Sequence, residues 1–140
     1  MDRTRRCEML ARLSDSELAD INGSIATDTL ADRVVIVEPT VGMVMARAIE
    51  GAHGEIFNVG EVLVTECQVR IERHEGWGML MGSRPGAALA VATIDAAIVA
   101  GRLESAPVDV RLAHLIATHD AELAGNQAAL AATRVQFETQ

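Results

Sequence analysis

A chain of 140 residues with 12 Lys+Arg against 20 Asp+Glu carries a formal charge of −8. Its length suits one domain with an ordinary hydrophobic core, without disulfide or metal staples. The acidic balance and the small aromatic complement (Phe57, Trp77 and Phe137) argue against nucleic acid and anionic membranes, which call for positive charge and, for single strands, ring faces on which bases stack.

The N-terminus, Met1-Asp2-Arg3-Thr4-Arg5-Arg6, has no apolar stretch of the kind a signal peptide needs and passes straight into Cys7-Glu8-Met9-Leu10. Residues 3–13 alternate basic and apolar positions, and Ser14-Asp15-Ser16-Glu17 fits a capping box, so two short N-terminal helices are predicted. Arg33 to Glu38 is a β-branched run stopped by Pro39, and Gly42 to Ile49 reads as a second strand beside it. Gly51-Ala52-His53-Gly54 signals a turn, followed by strands over Glu55–Val59 and Val62–Glu72 around a break at Gly60. In the latter, Leu63, Thr65, Cys67, Val69 and Ile71 share one face and Glu66, Gln68, Arg70 and Glu72 the other, the mark of a half-buried antiparallel strand. Glu75-Gly76 reads as a turn and Trp77–Met81 as a last strand.

Gly82-Ser83-Arg84-Pro85 leads into a helix with Pro85 at its first position. Ala87 to Ala100 is apolar on nearly all sides, predicting a helix buried against the sheet and a second element at once. At about 14 residues, with Asp95 inside, it falls short of the roughly 20 that span a bilayer. After Ser105-Ala106-Pro107, a long helix over Asp109 to about Thr133 carries a narrow stripe of Leu112, Ile116, Leu123, Leu130 and then Phe137, with Leu115 alongside. His119, Asn126 and Thr133 interrupt it, as in an interaction seam with polar register positions, and it reads as an arm for a partner. The expected fold is a single α+β domain: a mainly antiparallel sheet of four to five strands, short N-terminal helices and two longer C-terminal helices.

Few constellations carry chemistry. His114 and His119 lie five apart, about 140° around a helix, and cannot share one ion; His53 and His74 have no ligand spacing either. Cys7 and Cys67 are too few and too distant for a disulfide framework or paired-cysteine zinc site, which suits a reducing, intracellular setting. Cys67 falls on an apolar strand face and packs rather than attacks, and Cys7 at a helix start reads as inert. Asp95, inside an apolar helix, needs a donor, and pairing outweighs an acid-base role. Ser83 and Arg84, between a strand and a helix start, form a candidate anion site, since free amides and a guanidinium grip phosphate. No nucleotide-binding glycine motif accompanies them.

The centre of the chain carries three runs, Gly42-Met43-Val44-Met45-Ala46-Arg47, Gly54-Glu55-Ile56-Phe57-Asn58-Val59-Gly60-Glu61 and Val64-Thr65-Glu66-Cys67-Gln68-Val69-Arg70. In order and spacing they resemble runs of the PhnG family of bacterial carbon–phosphorus lyase subunits. So do Gly82, Ala88, Ala92, Asp95 and Ala96, and the terminal Ala132-Thr133-Arg134-Val135-Gln136-Phe137-Glu138-Thr139. The resemblance implies a cytoplasmic core complex with PhnI, PhnH and PhnJ. It also implies action with PhnI, PhnH and PhnL in a step where a phosphonate oxygen displaces adenine from ATP, giving an α-D-ribose 1-alkylphosphonate 5-triphosphate, for example the 1-methylphosphonate. Nucleosidase-type chemistry falls to PhnI in this picture, ATP is the substrate of the complex, and this chain binds no cofactor or metal and has no catalytic residue of its own. Glu66, Ser83 and Arg84 depart from the family's usual Arg, Arg and Asp, and Arg6 replaces a frequent Trp. The reversal at positions 66 and 84 suggests a contact that has swapped sign or a divergent copy. A competing reading is a stand-alone homodimeric binder of phosphate or phosphonate through the Ser83-Arg84 turn, and the seam implies that an isolated chain forms homo-oligomers.

Overall fold

A computed structural model describes residues 1–51 and 53–132, with side chains as far as residue 127. The elements run α1 (Arg3–Ala11), α2 (Asp15–Asn22), α3 (Thr27–Ala31), β1 (Arg33–Ile49), β2 (Ile56–Ile71), β3 (His74–Met81), α4 (Pro85–Val99) and α5 (Ser105–Ala132). The α+β class holds, but among the described residues the sheet has three strands, in the antiparallel order β1-β2-β3, not four or five. The difference lies in the breaks read at Pro39 and Gly60. Pro39 cannot donate to a ladder, yet β1 is an edge strand and its register with β2 shifts between Val37 and Thr40, so the strand bulges past it and continues. Gly60, at φ 147°, serves a bulge opposite Ala46 and Arg47 in the same way. The two halves of β1, expected as neighbours, are therefore one strand of 17 residues paired along its length with a β2 of 16.

The β2–β3 connection also differs from expectation. Ile71 pairs with His74, so the turn is Glu72-Arg73, with Glu72 at φ 55° and its carboxylate bonded to Arg102 at 2.8 Å. Gly76, read as a turn residue, lies inside β3 and serves packing instead. At the N-terminus the Ser14–Glu17 capping box is present in both directions, and α3 is a further short helix that the pattern did not announce.

α4 lies on β2 and β3 and takes α1 and α2 on other sides, which buries nine of its residues, from Ala87 to Ala97. The expected burial on two sides is what the structure has. Its contact with β3 leaves no room for side chains: a Cβ added at Gly76 would sit 2.1 Å from the Ala92 carbonyl oxygen, and one at Gly78 2.2 Å from that of Ala88. Leu10 of α1, Leu13 in the turn after it, and Leu18 and Ile21 of α2 complete the core.

α5 docks on α1 through a buried fork. Arg6 Nε donates to Asp109 Oδ1 at 2.6 Å and Nη2 to Oδ2 at 3.1 Å, holding the Asp109 carboxyl below its usual range. The arginine in place of the family's frequent aromatic residue is thus a paired core residue. Leu112 and Ile116 of the expected partner seam are buried in the same core, so that part of the stripe packs within the chain. Leu123 is exposed; Leu130 lies in α5 beyond the last described side chain, and Phe137 falls outside the described residues.

Because helix and strand backbones touch at Gly76 and Gly78, a single methyl there forces them apart. Gly78→Ala is expected to cost about 3 kcal/mol, or about 10 °C in melting temperature. Gly42→Ala, where an added Cβ meets nothing within 4 Å, should change stability by less than about 0.5 kcal/mol. Thermal unfolding followed by circular dichroism compares the two.

Candidate functional site

The sheet outruns the rest of the molecule. β3 ends where Met81 pairs with Val64, and α4 begins beside the same place, the Arg84 amide donating to Thr65 Oγ1 at 2.8 Å. Beyond that point Gly42–Ile49 and Ile56–Leu63 continue as a two-stranded ribbon that, among the described residues, has neither a third strand nor a helix against it. On the face that extends the α4-covered side lie Met43, Met45, Ile49, Ile56 and Leu63; Val44, Val62 and Phe57 lie on the other. Met43 is 56% exposed, Ile56 67% and Ile49 71%. A two-stranded hairpin is marginal by itself in water, and apolar positions on both faces are the pattern of a strand buried on both sides.

At the root of this arm the apolar surface continues. Met79, Met81, Val64 and Leu123 line an open groove of about 660 Å³ between the sheet and α5. A second open groove, of about 630 Å³, runs between α1 and β3 past Cys7, Trp77 and Met79. Its floor is a clamp. The carboxylate of Asp95, 2% exposed, accepts from Arg3 Nε at 3.0 Å, Arg3 Nη2 at 2.7 Å and the Trp77 amide at 3.1 Å. Arg3 Nη2 also donates to the Glu75 carbonyl at 2.8 Å. Asp95 and Arg3 thus occupy the outward amide and carbonyl of β3 as a neighbouring strand would, and seal that stretch of edge.

At the Ser83-Arg84 turn the arginine is engaged internally. Arg84 donates to Asp15 through Nε at 2.8 Å and Nη2 at 2.5 Å, and to the Leu13 carbonyl at 2.7 Å, tying α4 to the start of α2. Glu66 is one residue past Thr65 and therefore on the opposite face of the sheet from the Arg84–Thr65 bond, so the charge reversal at 66 and 84 is not one swapped contact. Ser83 is exposed, with no side-chain bond of its own among the described residues.

The histidines stay apart: His119 meets Glu17 at 3.0 Å and His53 meets Glu50 at 3.6 Å. Among the described residues no three His, Cys, Asp or Glu side chains group as metal ligands would. Asp95 is paired, as its apolar helix requires. Burial, and next the charge of Asp95, push the Cys7 thiol up to about 11, and burial raises Cys67 as well. The bare ribbon is what the sequence reading missed. Its signal was present in Val41-Gly42-Met43-Val44-Met45, which is apolar at successive positions, the pattern of a strand covered on both faces.

Two outcomes are expected. At pH 7.5 Cys7 should be alkylated by iodoacetamide roughly a hundredfold more slowly than an ordinary thiol, accelerating as pH rises toward 11, as peptide mass mapping would register. In double-mutant cycles read by urea unfolding, Arg84→Ala and Asp15→Ala should couple by about 0.5–1 kcal/mol, whereas Arg84→Ala and Glu66→Ala should add.

The model of the family described as Phosphonate metabolism protein PhnG matches residues 1–140 of the chain. The alpha-D-ribose 1-methylphosphonate 5-triphosphate synthase subunit PhnG of Rhizobium meliloti (strain 1021) is 33% identical over 135 residues, which cover 94% of this chain and 83% of that protein.

Proposed function

Since the chain belongs to the PhnG family, we propose that it is an accessory subunit of a carbon–phosphorus lyase core complex and carries no active site of its own. In that role it works with PhnI, PhnH and PhnJ, and with PhnL for activity. The reaction forms an α-D-ribose 1-alkylphosphonate 5-triphosphate from ATP and a phosphonate with release of adenine, and it takes place in the cytoplasm. The relative's name, a subunit of the 1-methylphosphonate synthase, supports the assignment. ATP enters as the substrate of the assembly and is not held by this chain.

The observation that carries the reading is the bare two-stranded ribbon. A chain that acts alone gains nothing from holding Met43, Met45, Ile49 and Ile56 in water, where each exposed side chain forgoes roughly 1.5–3 kcal/mol of burial. A subunit recovers that free energy on assembly. The two grooves beside Trp77 and Leu123 offer further apolar surface of the same kind. The rival, a self-contained anion binder at Ser83 and Arg84, loses its gripping group, because the Arg84 guanidinium already holds Asp15 and the Leu13 carbonyl.

Co-expression with PhnI, PhnH and PhnJ of one organism, with PhnI tagged, tests the assignment. Stoichiometric recovery of this chain through size exclusion is the expected result. Assembly of the other three without it would overturn the proposal.

A further inference from the structure

We propose that the β1–β2 arm, Gly42–Ile49 with Ile56–Leu63, is a tenon: a single different subunit receives it in an apolar cleft with a basic rim and closes on both of its faces. The inference rests on the subunit reading above and goes beyond it by specifying the surface, the mode of docking and the chemistry of the partner.

Area comes first. At about 3.3 Å per residue the eight-residue ribbon is roughly 26 Å long, and two strands span roughly 10 Å. One face therefore offers roughly 260 Å², about a third of the ~800 Å² that a specific interface takes from each partner. Both faces and the two open edges together reach that class. The exposed residues divide between the faces accordingly, with Met43, Met45 and Ile56 on one and Val44 and Phe57 on the other. Packing of one face on a flat surface would leave the other set in water.

Charge selects the occupant. Between Gly42 and Leu63 the arm carries Glu50, Glu55 and Glu61 against Arg47 alone. Glu50 and Glu55 flank its tip, joined by the Glu50 amide donating to the Glu55 carbonyl at 2.8 Å. Glu38 and Glu66 stand at its root. Two copies of this chain meeting arm to arm would set carboxylates against carboxylates in either orientation, within a pair carrying −8 on each member. A second copy is thus the wrong partner. An apolar cleft whose mouth presents Lys or Arg to Glu50, Glu55 and Glu61 is the right one, with backbone donors and acceptors along its wall to meet the ribbon's open edges.

The experiment uses the full chain co-expressed with PhnI, PhnH and PhnJ, carrying the photo-crosslinker p-benzoylphenylalanine at Met43, Val44 or, as control, Asp28 on α3. Irradiation followed by mass analysis should join positions 43 and 44, on opposite faces, to the same non-self chain and leave position 28 unjoined. Capture of a second copy, or capture through one face only while the complex is recovered intact, overturns the tenon but leaves the subunit reading standing. Assembly of the other subunits without this chain defeats both. As an independent arm, Met43→Glu combined with Val44→Glu should lower co-recovery at least about tenfold with the melting temperature of the isolated chain unchanged, since both side chains lie outside the core. Full co-recovery of that variant would also overturn the proposal.

Discussion

Everything in this chain is placed by the contact of α4 with β3. With hydrogen in place of a side chain at Gly76 and Gly78, and only methyls at Ala88, Ala92 and Ala96, the helix descends until its carbonyls meet the strand backbone. From there the rest follows. Asp95 comes within reach of the Trp77 amide and of Arg3, which fixes α1 along the edge of β3. At the other end of α4, Arg84 reaches Thr65 on the sheet and Asp15 on α2. A larger residue at either glycine would lift the helix and pull these bonds apart together.

The same contact explains why the arm is bare. Fifteen helical residues rise about 22 Å, whereas 17 strand residues extend about 56 Å. A single helix lying on the sheet cannot cover its length, and β3 with eight residues cannot pair with all of β2. The exposure of Met43 to Leu63 is a mismatch of lengths built into the chain, and the bulges at Pro39 and Gly60 let the strands run long enough to create it.

What was legible in the sequence was what local chemistry decides. Ser14 and Glu17 announce their capping box, the Ala-rich run its two-sided burial, and the alternation from Thr65 to Ile71 its covered face. What was not legible depended on neighbours. Pro39 and Gly60 interrupt a strand only if the chain cannot bulge around them, and an edge position permits the bulge. Gly76 reads as a turn residue unless one knows that a helix needs its space. The stripe from Leu112 onward resembled an exposed seam because its interruptions are polar, yet Leu112 and Ile116 are covered by α1 and the sheet-bound core. Arg84 looked available to an anion for a related reason: the carboxylate that it meets, Asp15, lies 69 positions away in sequence.

The exposed ribbon also bears on how long a copy of this chain survives in a cell. Chaperones and proteases triage proteins by the apolar segments they display, and an orphan copy displays Met43, Met45, Ile49 and Ile56 permanently, without any unfolding step. If the proposed partner covers them, the lifetime of the chain would follow the supply of that partner, and surplus copies would be removed through the shape of the protein itself.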